Sequence, residues 1–165
     1  MSRHYNLPSL RESLTAAGFV VACFCVVGMG QLFFGGEPGE WYQNLQKPSF
    51  TPPDWLFGPV WTALYVCIGL AAWFVWRERV TSHVSVALTL FVLQLLLNAA
   101  WPPIFFGCRN PGLAFAEIVA LWIAIVATVS SFFRISAPAG WLMVPYLVWV
   151  TFAAVLNGFI WRMNA

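Results

Sequence analysis

Charge is what this sequence has least of. Lys, Arg, Asp and Glu make up 8% of its 165 residues, whereas a soluble globular domain carries about 25%. An ordinary soluble fold is excluded on that ground. Alternating ten-residue segments are missing too, which excludes a membrane barrel. Internal repeats, the mark of many carriers, are not found. The four cysteines, Cys23, Cys25, Cys67 and Cys108, form no CxxC and no Cys/His cluster. They read as small buried apolar side chains rather than disulfides or metal ligands. The histidines, His4 and His83, lie outside the apolar runs, which argues against axial haem ligation. No nucleophile–base pair, metal cluster or nucleotide-binding motif is present. No conventional catalytic centre, metal site, tightly bound cofactor or nucleic-acid partner is therefore expected.

Apolar sequence is what the chain has in abundance: 61% of residues are hydrophobic and the mean hydropathy is +0.77. A membrane-spanning helix needs roughly 20 apolar residues. Five runs of that length occur, at about 14–34, 55–76, 84–106, 113–133 and 139–161, none with Lys or Arg in its middle. The first is long for the core of a signal peptide, and GMGQLFFGGE offers no clear cleavage site, so it is expected to remain as a span. The expected fold is all-α: a single polytopic membrane domain over 1–165, a five-transmembrane-helix bundle. Of the eight basic residues, Arg3, Arg11, Arg77, Arg79 and Arg134 fall on one side, and Lys47, Arg109 and Arg162 on the other. That bias places the N-terminus in the cytoplasm and the first loop outside.

Polar side chains inside spans are costly and therefore informative. Gln94, Asn98 and Trp101 share a face of the third run, and Trp61 and Tyr65 share one on the second. Tyr146, Trp149, Ala153 and Asn157 align on the fifth, and the fourth carries Glu117, the acid lying inside a run. Asn and Gln can serve simply as glue between helices, and tryptophans as interfacial belts. Depth favours another reading. At 1.5 Å per residue, Trp61, Asn98, Trp101, Glu117 and Asn157 fall roughly 6–12 Å below the first-loop side, with Trp149 deeper. A belt would populate both surfaces; this group gathers in one half of the bundle, as a ligand pocket would. Glu117 is expected to be uncharged or paired with a polar group of another helix, since desolvation penalises a carboxylate. Small residues on the fourth run (Ala116, Ala120, Ala124, Thr128) and the first (Gly18, Ala22, Gly28) suit close helix contact, and a homodimer is expected.

The loop over 35–54 and the start of the next run contain EWYQNLQKPSFTPPDWLFGPVW. EWYQNLQ suits a short amphipathic turn grouping Trp41, Tyr42 and Leu45; Pro48 stops it, and Thr51-Pro52-Pro53 should be stiff and extended. Asp54 is placed to cap the following helix. A stiff aromatic loop on the side of the pocket mouth reads as a lid, with an interfacial helix resting on lipid headgroups as the alternative.

WYQNLQKPSFTPPDWLFGPVWTALY, LLLNAAWPPIFFG and VPYLVWVTFAAVLNGFIWR, in that order, resemble the signature of the translocator protein family, also called tryptophan-rich sensory proteins or peripheral benzodiazepine receptors. The resemblance spans nearly the whole chain from about Leu14. It implies a five-helix bundle, often a homodimer, that binds porphyrins and, in some members, sterols or benzodiazepine-type ligands. Some bacterial members degrade protoporphyrin IX in light. Carried over by motif, Trp41, Tyr42 and Pro52 would be lid contacts. Trp61, Tyr65, Asn98, Trp101, Trp149 and Ala153 would line the pocket, with Trp61 and Trp149 tied to photochemistry. Gly158 and Phe159 stand where the family's cholesterol-recognition pattern has its Tyr, and Pro102-Pro103 should bend the third helix beside Trp101. A multi-pass protein of a bacterial cell membrane is expected. Its function is read as a sensor or receptor for protoporphyrin IX or a related tetrapyrrole. The alternative is a carrier moving porphyrin, sterol or another apolar molecule across the membrane.

Overall fold

The computed structural model describes residues 9–32, 39–78 and 83–165. Arg3, His4, Arg79, the end of the first apolar run and residues 35–38 of the loop lie outside them. Among the described residues there is no strand. The elements are α1 (Leu10–Leu32), α2 (Glu40–Asn44), α3 (Asp54–Arg77), α4 (Val84–Pro102) with a π-helical turn (Pro103–Gly107), α5 (Pro111–Ile135) and α6 (Ala137–Met163). Five of these stretches are long and apolar enough to cross a membrane: α1, α3, α4 with its π turn, α5 and α6. The five expected spans are all present, and short α2 lies in the first connection.

The outer faces of these helices are apolar where a soluble protein would be charged. Leu14, Val21, Leu96, Ile123 and Val148 are all exposed, a surface suited to lipid chains. Trp55 and Trp141, near the first turns of α3 and α6, are the most exposed tryptophans, at 72% and 66%. Aromatic rings at helix ends belong at the headgroup level.

Inside, small residues set how closely the helices approach. Ala71 and Ala72 of α3 and Ala87 of α4 are fully buried, beside Ile68, Ile125 and Met143. A Cβ on Gly69 would stand 2.7 Å from the Cα of Val20, so α1 and α3 meet backbone to backbone. A Cβ on Gly30 would strike the carbonyl of Ala99. Pro103 withholds the N–H that an α-helix would offer that same carbonyl. The first span is thus packed into the bundle, with Cys23 and Val27 in its core.

Two contacts fix which ends lie together. Arg77 at the end of α3 pairs with Glu12 at the start of α1 at 3.3 Å. At the other end, the backbone N–H of Gln46 donates to Asn164 Oδ1, and Asn164 Nδ2 donates back to the Gln46 carbonyl, both at 2.9 Å. The loop after α2 is thereby lashed to the end of α6, and Lys47 shares a side with Arg162 as the sequence grouping requires.

Three local details differ from or sharpen the sequence reading. Asp54 does not cap α3: the cap position is Pro53, without a side-chain bond, and Asp54 is the first helical residue. Pro102-Pro103 does not end the third span; the chain continues as a π turn, closed by the Cys108 N–H donating to the Pro103 carbonyl at 2.9 Å. The small-residue stripe of α5 divides between two environments: Ala124 and Thr128 are buried within the chain, whereas Ala116 and Ala120 are exposed.

Candidate functional site: an aromatic cavity beneath the first connection

Four spans and α2 enclose a cavity of about 320 Å³. From α3 come Phe57, Trp61 and Tyr65, successive turns of one face. From α4 come Asn98 and Trp101, and from the π turn Phe105 and Phe106. Ile118 and Leu121 of α5 form an aliphatic patch, and Trp149, Ala153 and Asn157 of α6 complete the wall. Tyr42 of α2, in the connection, and Asp54, the first residue of α3, also belong to it.

The rings are set by contact with one another. Trp61 stacks on Tyr65, with centroids 5.4 Å apart and planes at 21°. Trp101 stacks on Phe105 at 4.8 Å and 20°. That second stack depends on the π turn, which carries Phe105 past the proline pair. Trp149 meets Phe57 and Phe152 at 5.8 and 5.5 Å. Such geometries add roughly 0.5–1.5 kcal/mol per pair beyond area burial and help fix the ring positions.

Two hydrogen-bonded chains join polar groups around the cavity. The Tyr65 hydroxyl donates to Asn98 Oδ1 at 2.9 Å, and Asn98 Nδ2 donates to the Tyr146 hydroxyl at 3.1 Å. This joins α3, α4 and α6. Trp101 Nε1 donates to Asn157 Oδ1 at 3.1 Å, and Asn157 Nδ2 donates to the Pro111 carbonyl at 2.9 Å. This joins α4, α6 and the start of α5, where the Asn110 side chain accepts from the Leu113 N–H. The indole N–H of Trp149 is buried and has no protein partner.

Of the residues singled out from sequence, Tyr42, Trp61, Tyr65, Asn98, Trp101, Trp149 and Ala153 are on the wall. Trp41 and Pro52 are not. Trp41 turns its ring to the edge of Phe105, 5.7 Å away, and so backs the wall instead of forming it. Neighbouring residues of a helix point about 100° apart, and on α2 it is Tyr42 and not Trp41 that faces the cavity. The same rotation separates Glu117 from Ile118: Ile118 is on the wall and Glu117 is not. Both carboxyl oxygens of Glu117 are buried without a hydrogen-bond partner, so of the two expected states, uncharged or paired with another helix, the pairing is not made. Because no partner reads its charge, Glu117→Gln is expected to leave thermal stability and cavity-ligand affinity within about twofold of the unmutated protein, under about 0.5 kcal/mol. A melting curve and a ligand titration in detergent check this; a collapse of the fold would mean the acid is required.

Several wall residues escaped the sequence reading. Phe57 lies four before Trp61, so extending that stripe by one turn would have found it. Phe105 and Phe106 depend on the π turn, and Ile118 and Leu121 look like any other aliphatic residue of a span.

A second, shallower groove runs along the outside of α5 and α6 and includes Phe115, Trp122, Phe159 and Arg162. Gly158 forms part of its floor, a built Cβ meeting Phe115 at 3.0 Å. No tyrosine occurs in its lining.

Comparison with known proteins places the chain in a family over nearly its whole length. Residues 19–162 match the TspO/MBR family. The chain is 43% identical over 159 residues to the tryptophan-rich protein TspO of Chlorobaculum tepidum, covering 93% of this chain and 98% of that one. It is 42% identical over 151 residues to the translocator protein of Homo sapiens, covering 90% and 89%. To the tryptophan-rich sensory protein of Cereibacter sphaeroides it is 38% identical over 146 residues, covering 88% and 89%. An integral membrane protein with five spans, it belongs to the TspO/MBR family.

Proposed function

We propose that this protein is a membrane receptor or sensor that binds protoporphyrin IX or a related tetrapyrrole in the cavity beneath α2. The observation that carries the reading is the wall itself: three indoles, Trp61, Trp101 and Trp149, on three helices of an aromatic enclosure with few free polar groups. A planar macrocycle gains most from such a surface. The cavity lies at the low end of the roughly 300–1,000 Å³ typical of small-molecule sites, so a tetrapyrrole fills it and keeps its propionate edge in the mouth. Sterols and benzodiazepine-type molecules are further candidates for the same apolar volume. The tetrapyrrole is an exchangeable ligand here, and light-dependent degradation of it draws its reactivity from the excited pigment. Family membership supports a receptor or transporter role in a membrane, here taken to be a bacterial cell membrane.

Titration of the purified protein with protoporphyrin IX in the dark, followed by tryptophan fluorescence, tests the binding. Saturable quenching reversed by a competing tetrapyrrole is expected. Quenching that rises linearly without saturation would overturn the reading. The carrier alternative draws on the broken helix beside the cavity, but that break lies at the end of α4 and not at mid-span. Flux of porphyrin across proteoliposomes would establish it.

The protein is further proposed to act as a homodimer. The outward half of the α5 stripe, Ala116 and Ala120, supports close approach of a second copy. Ala120→Leu is expected to reduce cross-linked dimer at least severalfold while leaving the monomer folded. Unchanged cross-linking would exclude this face and move the contact to α1, where Gly18 and Gly28 leave open space for a Cβ.

A further inference from the structure

The polar groups of the wall are largely spent on one another; one wall residue, Asp54, carries formal charge, and Lys47 lies beside the wall without lining it. Asp54 stands on the wall and is exposed. Lys47 holds its Nζ 3.8 Å from the centre of the Tyr42 ring, and Tyr42 is itself a wall residue. Neither has an ion-pair partner among the described residues, where the recorded bridge joins Arg77 and Glu12.

Lys47 is held in place from both sides of the chain. The residue before it, Gln46, has both backbone groups bonded to the Asn164 side chain. The residue after it, Pro48, begins a turn in which the N–H and the hydroxyl of Thr51 both donate to the Pro48 carbonyl, at 3.0 and 2.7 Å. Burial first, and the Asp54 charge second, push the Tyr42 hydroxyl above the usual tyrosine range, so the ring beneath the cation stays neutral. The ammonium has three donors, an aromatic face under it and no carboxylate to neutralise it.

We propose that Lys47 is the carboxylate anchor of the cavity mouth, selecting ligands that are flat and apolar at one end and carry an acidic group at the other. This rests on the tetrapyrrole reading and adds orientation to it: the macrocycle enters apolar edge first and leaves its propionates at Lys47. Asp54 narrows the choice further. An acidic group beside it is repelled, so the acid edge is steered to the Lys47 side.

The test compares protoporphyrin IX, which has two free propionates, with its dimethyl ester, by dark titration at low and high salt. Lys47→Gln is expected to weaken binding of the free acid about two- to fivefold at low salt, as for a partly exposed ion pair, and Lys47→Arg to restore most of it. Asp54→Asn is expected to strengthen the free acid about twofold. None of these changes should move the ester, and each should shrink as salt is raised. The Asp54 and salt arms read the same charge effect without altering Lys47. Equal effects of Lys47→Gln on acid and ester, or no effect on either, would overturn the anchor and leave porphyrin binding standing. Failure of both porphyrins to bind the unmutated protein overturns the tetrapyrrole reading, and the anchor with it.

Discussion

Replacing either wall tryptophan by phenylalanine is expected to separate binding from photochemistry. Trp61 and Trp149 face the cavity from α3 and α6. Their neighbours are aromatic: Tyr65 stacked on Trp61, Phe57 and Phe152 around Trp149. Phenylalanine keeps most of the area and the edge contacts, so dark affinity for protoporphyrin IX should fall threefold or less, under about 1 kcal/mol. Indole is much more readily oxidised than benzene, so light-driven porphyrin loss should fall at least tenfold, about 1.4 kcal/mol or more in barrier. Dark titration and illuminated decay, measured on the same samples, decide the matter. If both single variants degrade the pigment at the unmutated rate, the tryptophan mechanism is wrong here and only binding is left.

Much of this site could be read from the sequence because a span imposes strong rules. Length and hydropathy alone mark a helix that must satisfy its own backbone in lipid. Once the helices are given, the three- and four-residue spacing of Asn98 and Trp101, or of Trp149, Ala153 and Asn157, puts each set on one face. The same logic failed at adjacent positions. Trp41 beside Tyr42 and Glu117 beside Ile118 are pairs of which only one member lines the cavity, and composition does not say which. Tyr42 and Ile118 are on the wall; their neighbours are not.

The proline pair shows a second limit. Two missing N–H groups announce a disturbance after Trp101, but a kink, an end and a wider turn all satisfy that requirement. The π turn is settled by tertiary contacts. It brings Phe105 against Trp101 and Tyr42, and Phe106 against Tyr42, building the second apolar cluster under α2. Asp54 illustrates the same point with charge. A sequence of Thr-Pro-Pro-Asp before a helix suits a cap, yet the helix starts one residue too early for that. The carboxylate is left on the cavity wall.

Asn98→Leu is expected to be the most damaging conservative-volume change inside the bundle. Asn98 is buried, and its two amide atoms accept from Tyr65 and donate to Tyr146, so one side chain couples three helices. Interhelical hydrogen bonds in membrane bundles average about 0.6 kcal/mol and reach about 1.7, so losing two predicts a cost of roughly 1–3 kcal/mol. The larger part should come from Tyr146. Its residue is fully buried and absent from the wall, whereas the Tyr65 side chain borders the cavity. A stranded hydroxyl in the first place has nowhere to turn, and leaving such a group unsatisfied costs about 1–3 kcal/mol. Removing it should therefore recover stability: Asn98→Leu combined with Tyr146→Phe is expected to melt above Asn98→Leu alone, though Tyr146→Phe by itself is destabilising. Tyr65→Phe in the same background should recover much less. Thermal unfolding of the single and double variants in one detergent forms the cycle that isolates the coupling. Strict additivity of the Asn98 and Tyr146 changes would show that the buried chain couples nothing, and that the loss on Asn98→Leu is a matter of packing alone.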